Sequence, residues 1–188
     1  MNIEIPNFAP AIPEIFVFSM ACLILMVDLV LTERTRFISY GLAQLTLIGA
    51  ALLTLYGFND GSSVTTFYGM FVHDTMSDML KLAMYVIVFV VFVYSRDYIR
   101  ERNMYHGEYF VLALLGLVGM MVMASASHFL TIYLGLELMS LTLYTLVAMN
   151  RDSGESTEAA MKYFVLGAIA SGMLLYGMSM LYGATGSL

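Results

Sequence analysis

Residues 129–149 read FLTIYLGLELMSLTLYTLVAM, an apolar run with one carboxylate, Glu137, near its middle. The run matches the ~20 residues a helix needs to cross a hydrocarbon core. An ionised group at that depth costs at least ~2.5–3.5 kcal/mol on insertion scales. A chain keeps it only where something compensates it or uses it. Tyr133, Ser140 and Tyr144 stand at i−4, i+3 and i+7 from Glu137, so they share its helical face. A buried acid on a hydroxyl-bearing stripe is what a proton or cation relay needs: a titratable site flanked by groups that hold water.

The rest of the chain fits the environment this run demands. It is 60% hydrophobic and only 12% charged, with a mean hydropathy of +0.82. Soluble domains average ~25% charged residues. The 188 residues suffice for several spanning helices and no large soluble domain. The net charge of −6 comes from scattered acids, with no acidic tail, and names no partner. The segments are continuously apolar rather than alternating, which excludes a transmembrane β-barrel.

Six helices are expected, over 12–31, 37–57, 79–98, 108–124, 128–149 and 159–183, forming one transmembrane region across 1–188. The fold class is all-α: a polytopic membrane helix bundle. The break at 125–127 is tight and uncharged, so the fourth and fifth helices should be antiparallel neighbours. The longest break, 59–78, suits a short hairpin or an interfacial helix. Arg34 and Arg36 lie in the first loop. Arg96, Arg100 and Arg102 lie at or in the third, and Arg151 lies in the fifth with Lys162 just beyond. The second and fourth loops have neither Lys nor Arg, and only Lys81 breaks the alternation. Loops one, three and five should therefore face the cytoplasm, with the N-terminus outside. The opening MNIEIPNFAP has no basic residue and carries Glu4, which argues against a cleaved signal peptide.

Redox chemistry is not expected on this chain. The single Cys22 cannot ligate an iron–sulfur cluster or close an internal disulfide. His73, His106 and His128 fall at helix ends or in loops, so no intramembrane pair is available to hold haem. No phosphate loop, metal-ligand spacing, nucleophile triad or basic nucleic-acid patch is present.

Lys162 has two readings of equal weight. It is a relay residue, or a lysine whose stem reaches the interface. From the expected ends, Glu137 is ~18 Å deep and Lys162 ~5 Å, which disfavours a direct salt bridge and leaves a water-bridged coupling. Glu14, following Pro13, reads as an ordinary residue of a helix N-terminus. Asp28 reads as a cap or a solvated group. Lys81, three residues after Asp78, is placed for a local pair with it; it reads as an interfacial anchor in preference to a second relay charge. Gly167, Ala168, Ser171 and Gly172 form small-xxx-small pairs that suit close helix packing.

Four stretches together carry a family resemblance: IPEIFVFSMACLILMVDLVL (12–31), DMLKLAMYVIVFVVFVYSRDY (78–98), LGLELMSLTLYTLVAM (134–149) and STEAAMKYFVLGAIASGMLLYGMSMLYGATG (156–186). The chain resembles the N-terminal part of subunit N of the proton-pumping NADH:quinone oxidoreductases, bacterial complex I. The fifth-helix glutamate alone is shared with cation/proton antiporters and antiporter-like subunits of membrane-bound hydrogenases. The Pro-Glu-Ile opening and the Ala-Met-Lys-Tyr-Phe segment favour subunit N.

The resemblance implies an antiporter-like fold, present in part, in a fragment of a family chain of about fourteen helices built as inverted repeats. It places Glu137 at the family's essential acid and Lys162 at a matching lysine, as proton relay residues. It implies a translocase role, with NADH, FMN, iron–sulfur clusters and quinone handled elsewhere in the complex. The partners would be other membrane and peripheral subunits and the lipid bilayer, with no nucleic acid, in the cell inner (plasma) membrane. A free-standing antiporter and a structural membrane anchor are the competing readings. The residues identify neither the coupling ion nor the quinone, and they leave open any sequence beyond Leu188.

Overall fold

The computed structural model describes residues 7–31, 36–58, 63–102 and 106–187. Glu4 and Arg34, invoked above, lie outside them. A 3-10 turn, Ala9–Ala11, leads into α1 (Ile12–Asp28). There follow α2 (Phe37–Tyr56), strands β1 (Val64–Thr66) and β2 (Phe71–His73), then α3 (Thr75–Glu101), α4 (Gly107–Ala124), α5 (Phe129–Val147) and α6 (Gly154–Thr185). All six helices are long and apolar enough to cross a membrane.

Local chemistry sets the ends. In α3, Asp74 accepts from the Ser77 backbone and Ser77 returns a hydroxyl to Asp74, a reciprocal capping box. The helix therefore starts at Thr75, four residues ahead of the expected 79. In α6, the Ser153 side chain accepts from Ser156 N, so that helix starts at 154 rather than 159. It ends at Gly186, whose φ of 73° is left-handed. α1 stops at Asp28, short of the expected 31. The Asp28 carboxylate accepts the Ser39 hydroxyl at 2.6 Å and lies against Gly107, in the first turn of α4. An anion is favoured at that positive helix end, where Asp28 lies across the bundle from its own helix.

α4 is the axis, packed against α1, α2, α3 and α5. Its buried Phe110, Leu114, Leu117 and Met121 meet Val17 and Ile24 of α1, Leu47 of α2 and Phe92 of α3. Within a bilayer, helices associate by close packing and small residues rather than by escape from water. The α4–α5 crossing shows this most directly. A Cβ on Gly119 would lie 2.6 Å from Gly135 O, and one on Gly135 would lie 2.7 Å from Gly119 O. The two backbones touch there. The expected antiparallel pairing of these helices has this physical basis. Gly172 of α6 does not cross a helix in this way, since among the described residues nothing lies within 4 Å of its Cβ position.

The 59–78 segment contains a hairpin, the first of the two expected forms. Val64, Thr65 and Thr66 pair with His73, Val72 and Phe71. β2 also joins the α4–α5 turn, through Val72 N to Ser125 O (2.8 Å) and Ser127 N to Met70 O (3.0 Å). Thr66 donates its hydroxyl to Asn7 O at 2.7 Å. One end of the bundle is thereby tied by backbone hydrogen bonds. The other gathers Arg96 over the Tyr40 ring and Arg151 beside Glu108 at 3.4 Å.

Candidate functional site

Glu137 lies eight residues into α5 and is half-buried. Its Oε1 is buried with no hydrogen-bond partner among the described residues. An unsatisfied buried carboxylate oxygen is costly, so the group is held for its chemistry or for a partner beyond these residues. Tyr133, one turn earlier, stands on the same half-buried face. Ser140 and Tyr144 continue the same half-buried face.

Tyr144 marks where α6 meets this face. Its ring packs edge-on against Tyr163 (4.7 Å between centroids) and Phe164 (5.7 Å). Its hydroxyl lies on Gly167, filling the space a Cβ there would need. Gly167 is thus a seat for a polar tip rather than a helix-crossing point, which the small-xxx-small reading did not anticipate.

Lys162 is not brought to Glu137. Its Nζ pairs with Glu158 Oε1 at 2.5 Å, one turn back on α6, and both side chains are exposed. The Tyr144 contacts fix the helix register. They set Lys162 no deeper than Tyr144, which is seven residues, or about 10 Å, from Glu137 along α5. The earlier start of α6 puts Lys162 about 12 Å from the helix end instead of ~5 Å. The offset from Glu137 persists because the ring contacts, not the helix ends, determine it.

A second polar cluster escaped the sequence reading. Lys81 Nζ is 2.6 Å from Glu14 Oε1, with side-chain exposures of 0% and 7%. This ion pair between α1 and α3 lies inside the protein, so Lys81 is not an interfacial anchor and Glu14 is not an ordinary first-turn acid. Lys81 also lies 5.3 Å from the Phe71 ring centroid. Beside it, His73 Nδ1 is 3.2 Å from Asp78 Oδ1, and His73 Nε2 is 3.1 Å from Gly57 O. Tyr85, one turn beyond Lys81, shares a hydrogen bond with Thr54 at 3.3 Å. The early start of α3 explains the oversight. Lys81 is about 9 Å inside the helix, not at its entrance.

Comparison with known proteins places these features. The family described as NADH:quinone oxidoreductase/Mrp antiporter, TM, matches residues 126–188, which include Glu137 and Lys162. The chain is 59% identical over its whole length to NADH-quinone oxidoreductase subunit N of Thioalkalivibrio sulfidiphilus. It is 60% identical to the same subunit of Thiobacillus denitrificans. It spans 39% of the length of each of these relatives. Among solved structures, it is similar to a chain of respiratory complex I from Thermus thermophilus. That match has a TM-score of 0.76 and 28% identity, over 94% of this chain and 38% of the other. A chain of an archaeal membrane-bound sulfane sulfur reductase shares the fold, with a TM-score of 0.80 at 21% identity, over 97% of this chain and 38% of that one.

Proposed function

We infer, from a chain similar throughout to a part of NADH-quinone oxidoreductase subunit N, that this bundle serves proton translocation in such an oxidoreductase. The observation that carries the reading is Glu137, a half-buried membrane carboxylate with an unpartnered oxygen and a tyrosine one turn away. Intramembrane acids mark proton and ion routes. In this reading Glu137 takes up and releases the proton. Tyr133, Ser140 and Tyr144 hold the water that carries it. Lys162 acts from the Tyr144 level through that water rather than by direct contact.

In this reading the chain supplies transport rather than a redox centre. Oxidation of NADH and reduction of quinone belong to partner subunits, which bear the flavin and the iron–sulfur clusters. The protein's own part is transport, driven by those reactions. The matched family also takes in Mrp antiporters, so exchange driven by ion gradients alone is the alternative. Purification separates the two. The full-length parent, extracted gently from membranes, is expected to emerge with flavin- and iron–sulfur-containing subunits. Recovery of a transport-active assembly free of both would favour the antiporter.

The parent is placed in the cell inner membrane, with the hairpin end outside and Arg36, Arg100 and Arg151 inside, following the alternation of basic loops. A cysteine at exposed Ser63, in a parent lacking Cys22, is expected to react with a membrane-impermeant thiol reagent on intact cells. Reaction only after the membrane is opened would invert the orientation.

A further inference from the structure

We propose that Glu14, His73, Asp78 and Lys81 form a second proton-exchange site, separate from Glu137, served by the cavity beside the hairpin. The proposal deepens the proton-translocation reading and rests on it.

Hydrogen-bond chemistry requires a proton at the His73–Asp78 contact. A backbone carbonyl only accepts, so His73 Nε2, 3.1 Å from Gly57 O, must carry a hydrogen. In the neutral ring that leaves Nδ1 bare, facing Asp78 Oδ1 at 3.2 Å. A lone pair and a carboxylate repel at that distance. One proton therefore lies in the contact, as imidazolium beside carboxylate or as imidazole beside carboxylic acid. The neighbouring Lys81–Glu14 pair, 2.6 Å apart, completes the cluster. Asp78 and Lys81 stand at i and i+3 on α3, on one face. With both contacts ionised, the four side chains sum to zero charge.

The site has a way out. A cavity of about 430 Å³ is walled in part by His73, Thr54, Pro13 and Gly57. It also touches Tyr56, which is almost fully exposed, so it reaches the surface. That volume accommodates several waters. His73 is the one member of the quartet in the cavity wall. Asp78, Lys81 and Glu14 lie behind it. Besides these four, the titratable group facing the site among the described residues is Tyr85 of α3, which feels the charges of Glu14 and Asp78. α2 contributes the neutral Thr54.

The exchange step balances simply. His73 passes its Nδ1 proton to Asp78, the N–H bond breaking as an O–H bond forms on the carboxylate; as the ring turns to the cavity, a hydronium there loses one O–H bond to become water and an N–H bond forms again on Nδ1. The quartet passes from zero to +1, and release reverses the step. A buried ion pair that serves packing alone needs no exchangeable proton beside a cavity open to the surface.

Asp78→Asn tests the idea in the assembled full-length complex. The amide keeps the shape of the carboxyl and can donate to the bare Nδ1 of neutral His73, so a merely structural role survives it. Proton exchange does not. The readout is pumping in vesicles, normalised to quinone reduction and to assembled complex. The expected result is at least a fivefold loss of protons moved per quinone reduced, with recovery to within twofold of wild type in Asp78→Glu. If Asp78→Asn pumps like wild type while Glu137→Gln does not, this site is structural and the translocation reading stands. If both pump like wild type, both readings fall. Where Asp78→Asn does not assemble, His73→Gln takes its place. A fivefold loss is again expected, and unchanged pumping overturns the proposal.

Discussion

Glu137→Gln in the full-length parent complex is expected to cut proton pumping on the order of tenfold or more, at nearly unchanged assembly. Positioned proton-transfer groups contribute ~10²–10⁴-fold to the steps they serve, so tenfold is a conservative figure. Glutamine preserves the volume and most of the hydrogen bonding of the side chain but exchanges no proton. It also removes the buried Oε1 charge, so a purely structural Glu137 would be neutral or even improved by the change. Glu137→Asp should fall between the two, since it keeps the acid and shortens its reach toward the Tyr133 face. Lys162→Ala should cost less. Its ammonium is exposed, paired with Glu158, and about 10 Å of helix away. Pumping in vesicles, normalised to assembled complex, checks all three. Wild-type pumping by Glu137→Gln would remove the relay role. A greater loss in Lys162→Ala would make Lys162 the principal pathway residue.

The second large effect is on stability. Lys81→Met leaves Glu14 buried and uncompensated. Removing one partner of a buried pair costs ~3–5 kcal/mol, whereas replacing both by apolar groups of similar size is often neutral. Lys81→Met alone should therefore lower the denaturation midpoint of the purified subunit sharply, and Lys81→Met with Glu14→Leu should restore most of it. Asp78 and His73 remain paired in the double variant. The interaction energy from this cycle measures the pair directly. A single variant as stable as wild type would mean the pair does not form. A double variant as damaged as the single would mean that packing at Lys81, not charge, is what matters.

How far the sequence reached can be judged at particular residues. Glu137 stands out in the sequence because a carboxylate interrupts an otherwise apolar run, and the helical period alone puts Tyr133 and Tyr144 on its face. The six helices were legible for the same reason. Lys81 and Glu14 were not, because each stands within two turns of a helix start, where charges are ordinary. Only the crossing of α1 and α3 reveals that their chemistry is shared. One signal was available. Asp74 and Ser77 spell a helix start at three-residue spacing, and reading it would have moved Lys81 farther inward. His73 was equally hidden, since its place depends on the hairpin folding back over the end of α2. Gly167 looked like a helix-packing residue, and its seat for the Tyr144 hydroxyl depends on a side chain in another helix.

The hairpin sets a pivot. At its end of the bundle, β2 is bonded backbone to backbone with the α4–α5 turn, β1 holds the N-terminal segment, and His73 holds the end of α2. At the far end, the interactions between elements run through side chains such as Ser39, Asp28, Arg96 and Arg151. α6 packs chiefly on α5. The backbone bonds of the first end fix the α4–α5 turn to the hairpin. Helices turning about the hairpin end move their atoms in proportion to distance from it. Glu14 and Lys81, within about 9 Å of helix from that end, have short lever arms. Glu137 has a short lever arm, and Tyr144 and Lys162 have long ones. Turning about that end thus displaces Tyr144 and Lys162 more than Glu137, Glu14 and Lys81.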